Sequence, residues 1–489
     1  MTLSRRTLIK TGAGGTAASL TVGTGTARAA AVRTAVRTAT GTSTVYGVSV
    51  GRTEITPSVV GAPDAWLAGY ATDGRTATGT ARALYARCLI LRDQGRPVIL
   101  VTADVLAYSR TVHQAVRAQM NALGIADGDF LMTATHTHSG PVLDERLDPV
   151  ISYHLTPGNV SDVHTYTQWL TNAIISLVTN TLSQTPVPCT LNYAVDSSAV
   201  AYNREGLANI DHAVPVMTIV PTSGSTTPMA ILFGYACHPV ARGSDNVYDS
   251  DYPGIVEARL ETRFPGTTAF FLTGAAGDQN PVLRNGSVPV AVQGAEVYRA
   301  VLRAVSSGGR AVNGSITTRY SELSLPFALN QEPMSSFRAT YAARVAADPS
   351  GTTPTGRHAA EMILQIDSNT LPTAMPLPIQ MWGFDGAQPL KLAAIGGEPV
   401  SGYSIVFKNA LGGDAALWVA GYANEIPAYV PSDEMLVDGG YAAGWTVSPL
   451  VTDDGGSIMF YGWPCRFMSG TGGIESSLTS AVTAMAGTV

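Results

Sequence analysis

The stretch FLMTATHTHSGP, residues 130–141, decides how this chain is read. It is an apolar strand that ends in two histidines, His136 and His138, and breaks at Gly140 and Pro141. Residues i and i+2 of a strand face the same way. Both imidazoles therefore project from one strand end, the usual place for a site in an α/β fold. The chain holds only eight histidines, and two this close suggest a metal or proton-transfer site. The competing reading is a pair of satisfied polar residues at a strand terminus.

Outward from this stretch, short apolar runs alternate with helical periodicity. Runs bounded by Gly, Pro or Asp predict strands at 45–51, 86–91, 97–103, 130–135, 190–195, 214–219, 229–235, 269–272, 316–323, 379–383, 390–395 and 416–420. Apolar residues at helical spacing predict helices at 111–123, 163–182, 253–263, 291–305, 334–346, 357–365, 402–410 and 474–485. The alternation implies an α/β fold, a single large mixed-sheet domain over 45–489 with flanking helices and long loops. The polar loops at 306–313 and 348–355 are the candidate internal boundaries, and neither is long enough to require one.

The N-terminus reads as a targeting segment. Ser4-Arg5-Arg6-Thr7-Leu8-Ile9-Lys10 has the twin-arginine pattern, an apolar run follows, and Ala27-Arg28-Ala29 is an A-x-A cleavage signal. The expectation is a signal peptide at 1–29, a disordered Ala/Thr/Arg-rich linker at 30–44, and a secreted mature protein. No later run is long and apolar enough to span a membrane. The net charge of −6, with no basic run after the leader, argues against a nucleic-acid partner. The four cysteines, Cys88, Cys189, Cys237 and Cys465, form no C-x-x-C, so buried thiols and disulfides both stay open.

Three further stretches carry chemistry. ILFGYACHPV, 231–240, is a second strand that ends in a histidine, His238. LAAIGGEP, 392–399, delivers Glu398 after two glycines, where a buried carboxylate needs a partner or a cation; the alternative is that Glu398 caps the following helix. FLTGAAGDQNP, 271–281, is a strand followed by a Gly-rich loop that can hold an anion, or a tight turn around Asp278. In YDSDYPG, 248–254, Asp249 to Asp251 read as a helix N-cap.

Taken in order, these residues resemble the N-terminal catalytic region of the neutral/alkaline non-lysosomal ceramidases. The resemblance rests on Thr135-His136-Thr137-His138-Ser139-Gly140-Pro141 above all. It is extended by Val48-Ser49-Val50-Gly51, Ala68-Gly69-Tyr70-Ala71, Thr102-Ala103-Asp104, Asn203-Arg204, Ala236-Cys237-His238-Pro239, Ala276-Gly277-Asp278, Gly397-Glu398-Pro399, Ala423-Asn424 and Tyr429-Val430. The resemblance implies one zinc ion held by His136, His238, Glu398 and Tyr429, with His138 and Arg204 facing the substrate amide. It also implies hydrolysis of ceramide, an N-acyl lipid reached from a membrane surface, to sphingosine and fatty acid. The chain departs from the family pattern in two ways. The family's G-D-V-S-P segment is Gly277-Asp278-Gln279-Asn280-Pro281 here, so an amide replaces a serine assigned a nucleophilic role in some accounts. The chain also stops about sixty residues after Tyr429, where family members continue into a β-sandwich.

The resulting expectation is an exported zinc hydrolase of a linear amide that acts through activated water. His138 and Arg204 are the catalytic residues, and Asp278 and Asn280 contact substrate. The alternatives are another N-acyl or ester substrate, an amidohydrolase-type barrel, and a secreted binding protein that retains the pocket.

Overall fold

The computed structural model describes residues 44–57, 66–70, 75–146, 153–445 and 457–489. The expected leader, and all of the expected linker except Thr44, lie outside the described residues. The fold is mixed α/β, and each expected strand and helix is present with ends moved by a few residues. The larger sheet has nine strands. Eight follow the order Thr268–Thr273, Ala230–Tyr235, Ala213–Pro221, Val187–Ser197, Tyr46–Glu54, Tyr85–Asp93, Arg96–Ala103, Phe130–Ala134, and Arg310–Val312 pairs with Val187–Ser197 from the side. The pairings at the two edges are parallel, and those between them are antiparallel. The candidate boundary at 306–313 therefore contributes a strand to this sheet.

The central strands read as continuous apolar runs because both faces are covered. Helices Arg110–Ala122 and Pro157–Leu182 pack with Ile90, Val101 and Met132 in one buried cluster. Residues of Asp251–Arg263 and Ser287–Ser306 pack on Phe233 and Phe271 in another. The opposite face meets a second sheet through Leu100, Leu131, Trp382 and Trp418. That sheet has the order Ile316–Pro326, Ala374–Phe384, Leu390–Ile395, Leu417–Ala420.

Two contacts set the geometry of the site. The larger sheet curls until its two edge strands meet at their C-terminal ends, where the Thr273 hydroxyl donates to the Thr135 carbonyl at 3.0 Å. The second sheet joins at the same place, with the Asn424 amide donating to Met132 O at 2.6 Å and a bridge between Thr133 and Ala423. Among the described residues there is no barrel, and this sheet order is incompatible with the amidohydrolase-type alternative. All four cysteines are buried free thiols. Among the described residues no helix is long and apolar enough to cross a membrane.

Candidate metal centre and active site

His136 and His238 end strands that lie far apart in the sheet order, and the curl brings them together. His136 lies two residues past the end of Phe130–Ala134, and its amide donates to Val105 O at 3.0 Å. It sits at φ 65°, with Tyr422 at 55° and Asn424 at 62° close by. Positive φ is costly for bulky residues and persists only where the surroundings impose it. His238 follows Ala230–Tyr235, and its amide donates to Gln279 O at 2.9 Å. Glu398 and Tyr429 follow the neighbouring strands Leu390–Ile395 and Leu417–Ala420 of the second sheet and face each other in a separate short parallel pair, Glu398–Pro399 with Tyr429–Val430.

Four donor atoms converge. Glu398 Oε2 lies 3.2 Å from His136 Nε2 and 3.0 Å from His238 Nε2. His238 Nε2 lies 3.2 Å from the Tyr429 hydroxyl. His138 Nε2 stands 3.3 Å from His136 Nε2, and the three histidines together can hold a metal ion.

The hydrogen bonds behind the rings show what the centre needs. His136 Nδ1 is 2.7 Å from Leu106 O, and His238 Nδ1 is 2.7 Å from Ala276 O. A carbonyl accepts only, so each Nδ1 carries the hydrogen and each Nε2 turns its lone pair to the centre. Burial pushes His238 down to about 4, which keeps it neutral near pH 7. Burial raises the Glu398 carboxyl, and only positive charge at the centre, on the His136 and His238 rings or on a bound cation, holds it well below the usual carboxylate range. Lone pairs on N and O about 3 Å apart repel unless a cation lies between them. Zinc arms of about 2.0–2.2 Å imply donor separations of about 3.3–3.6 Å in a tetrahedron. The observed spacings are slightly tighter, and the donor set fits a divalent cation. Glu398 is braced further by the Tyr422 hydroxyl at 3.2 Å and by the Tyr461 hydroxyl on Oε1.

The expected catalytic residues lie beside this centre. His138 lines a cavity of about 410 Å³ together with His136, Glu398 and Tyr429. Its loop is pinned from behind. Arg75 donates to His138 O at 2.7 Å, and the Thr137 hydroxyl donates to Asp249 O at 2.6 Å. Gly69, at φ 98°, lets the backbone press on the His138 ring, since a Cβ there would sit 2.4 Å from Nδ1. Arg204 stacks 5.2 Å from the Tyr429 ring centre and 5.1 Å from that of Tyr441, and donates to Gly277 O at 2.8 Å.

Asp278 and Asn280 do not line the cavity. The Asp278 carboxylate accepts from the Ser401 amide at 2.7 Å, the Ser401 hydroxyl at 2.9 Å and Asn203 Nδ2 at 2.7 Å. It thus anchors the start of helix Ser401–Ala410, the capping role considered for Glu398, whose own carboxylate faces the centre. Asn280 is buried in a short ladder opposite Tyr202. The expected cap over Asp249 to Asp251 is present: Asp249 Oδ1 accepts from the Asp251 amide at 2.9 Å and Asp251 Oδ1 from the Tyr252 amide at 2.6 Å, while Asp249 also pairs with Arg242 Nε at 2.9 Å and Arg82 Nε at 3.4 Å. The N-cap residue of Asp251–Arg263 is Ser250, with no side-chain bond.

Sequence reading missed Tyr422, Tyr461 and Glu425. Tyr422 directly precedes the Ala423-Asn424 pair, which was a usable signal; Tyr461 sits in no motif. Glu425 takes Arg110 Nη1 at 2.7 Å and His113 Nδ1 at 3.2 Å, and its backbone carbonyl accepts from the Gly397 amide at 2.9 Å, next to Glu398.

The class defined by fold and site is therefore an α/β protein with a buried, histidine-rich cluster that could hold a metal ion at the floor of a cavity. Residues 46–270 match the family model described as neutral/alkaline non-lysosomal ceramidase, N-terminal, so the resemblance carried by the HTHSGP string holds over that span. No curated protein matches the chain in sequence. Among solved structures, the neutral ceramidase from Pseudomonas aeruginosa aligns with TM-score 0.64 and 17% identity, over 90% of this chain and 74% of that one. A structure described as ceramidase complexed with C2 aligns with TM-score 0.65, 17% identity and the same coverage. At this identity the likeness is one of fold.

Proposed function

We propose that this chain is a zinc-dependent hydrolase of the amide bond of N-acyl lipids of the ceramide type. The observation that carries the reading is the convergence of His136 Nε2, His238 Nε2, Glu398 Oε2 and the Tyr429 hydroxyl, with both Nδ1 atoms facing carbonyls. The match of 46–270 to the ceramidase family supports the choice of bond.

When bound, zinc supplies Lewis-acid polarisation and makes water nucleophilic near neutral pH. The chain's own residues do the rest. His138 Nε2 faces the centre from the cavity wall, where it takes a proton from the attacking water and returns it to the leaving amine. Arg204 adds positive charge beside Tyr429, where the carbonyl oxygen gains negative charge. The aromatic lining, with Tyr441, Phe460 and Trp463, excludes water and contacts the acyl chain. No serine occupies the position of Asn280, and an amide is no nucleophile, which favours attack by water.

The test is hydrolysis of a short-chain ceramide by purified protein, followed by release of fatty acid. Activity should vanish on chelation and return with added zinc. Full activity in the metal-depleted protein would rule out the metal role. Cleavage of esters but not amides would move the substrate class to the runner-up.

A further inference from the structure

One wall of the cavity carries a carboxylate that the proposed chemistry does not use. Glu145 lies seven residues past His138 and lines the same cavity. Its partner among the described residues is the hydroxyl of buried Tyr153, which donates to Oε1 at 2.9 Å. Gly69 packs against the His138 ring and lines the same cavity as Tyr153 and Glu145. His138, Gly69, Tyr153 and Glu145 thus border one cavity.

The other charged lining groups are engaged elsewhere. Arg110 is held by Glu425 at 2.7 Å and Glu322 at 2.8 Å. Arg146 donates to Gly462 O and stacks 4.3 Å from the Trp463 ring centre. Asp144 is matched by His164 at 2.5 Å. Among the described residues Glu145 has no such cation; burial pushes its carboxyl up to about 7, against the Tyr153 hydroxyl that donates to it. A carboxylate in a cavity, oriented by one donor, keeps acceptor capacity for a second.

We propose that Glu145, oriented by Tyr153, is a specificity residue that accepts a hydrogen bond from a hydroxyl or ammonium group carried on the amine side of the substrate. This rests on the amide-hydrolase reading. If His138 hands a proton to the leaving nitrogen, whatever that nitrogen carries lies along the wall that His138 shares with Glu145. A ceramide head, with its hydroxyls close to the amide nitrogen, has such donors; a plain N-alkyl amide has none.

The test compares three amides with one acyl chain, N-acyl-ethanolamine, N-acyl-ethylenediamine and N-acyl-ethylamine, in the wild-type protein, Glu145→Gln and Glu145→Leu. The wild type should favour at least one donor-bearing amide over the ethylamide by about 10–100-fold in kcat/KM, the range of a hydrogen bond to a charged group. Which of the two wins identifies hydroxyl or ammonium as the natural donor. Glu145→Leu should reduce the preference to about threefold or less, with a circular dichroism spectrum and zinc content equal to wild type as the report of intact folding. Glu145→Gln, which keeps a neutral acceptor, should fall between. A wild type that cleaves all three equally, or a preference that survives in Glu145→Leu, overturns the proposal and leaves the amide-hydrolase reading standing. Zinc-loaded wild type that cleaves none of these and no ceramide overturns both.

Discussion

His136 and His138 are two residues apart, yet their surroundings divide their roles. His136 is fixed from both sides, by Leu106 O behind and Glu398 in front, as a ligand must be. His138 has no described partner on Nδ1 and borders the cavity, as a group that moves protons must. This difference predicts that His138→Ala lowers kcat by about 10²–10⁴-fold with bound metal unchanged. Asn280→Ser gives the complementary result. If water is the nucleophile, that variant shows no burst of product, because position 280 lies in the ladder opposite Tyr202 and not on the cavity. An acyl group trapped at position 280 would contradict the water route. At this scale the sequence displayed the donors that end strands, His136, His238 and Glu398, because a polar residue after an apolar run is conspicuous. Tyr422 and Tyr461 were not legible, since a tyrosine in a loop carries no signal until its hydroxyl is seen on a carboxylate.

The regular elements were legible because strands buried on both faces and helices with one buried face leave strong patterns. The two-residue pair Glu398–Pro399 with Tyr429–Val430 was not, because two residues carry no period. Helix Pro354–Asp367 shows how an element away from the metal governs stability. His358 lies on its buried face, and its Nε2 donates to Trp463 O at 3.0 Å. Burial pushes His358 down to about 3. The unfolded chain takes up this proton near pH 6.5, whereas the folded chain does so only near pH 3, so stability is lost as pH falls through that window. At pH 5 the loss reaches about 2 kcal/mol. His358→Gln should be less stable than wild type at pH 7, from a weakened bond to Trp463, but should lose less on going to pH 5, as measured by urea unfolding at both pH values. Identical losses in the two proteins would show that His358 is not the acid-labile group.

Over the whole molecule, the site exists because one curled sheet closes its edges at Thr135 and Thr273 and a second sheet docks at the seam. Nothing in the local pattern encodes that curl. Strand order and the meeting of the edges depend on packing among residues hundreds of positions apart, as in the clusters that join Leu131 to Trp418. The convergence of His136 with His238 was suggested by two strands that each end in a histidine, whereas that of Glu398 with Tyr429 was reached through family resemblance. The most direct test of this architecture is the metal content of the purified protein, determined by mass spectrometry of the wild type, His238→Ala, Glu398→Ala and His138→Ala. The account predicts one zinc per chain in the wild type and in His138→Ala, and loss of most of it in the other two variants. A wild type that binds no metal after zinc loading, or zinc retained in full by both His238→Ala and Glu398→Ala, would contradict it.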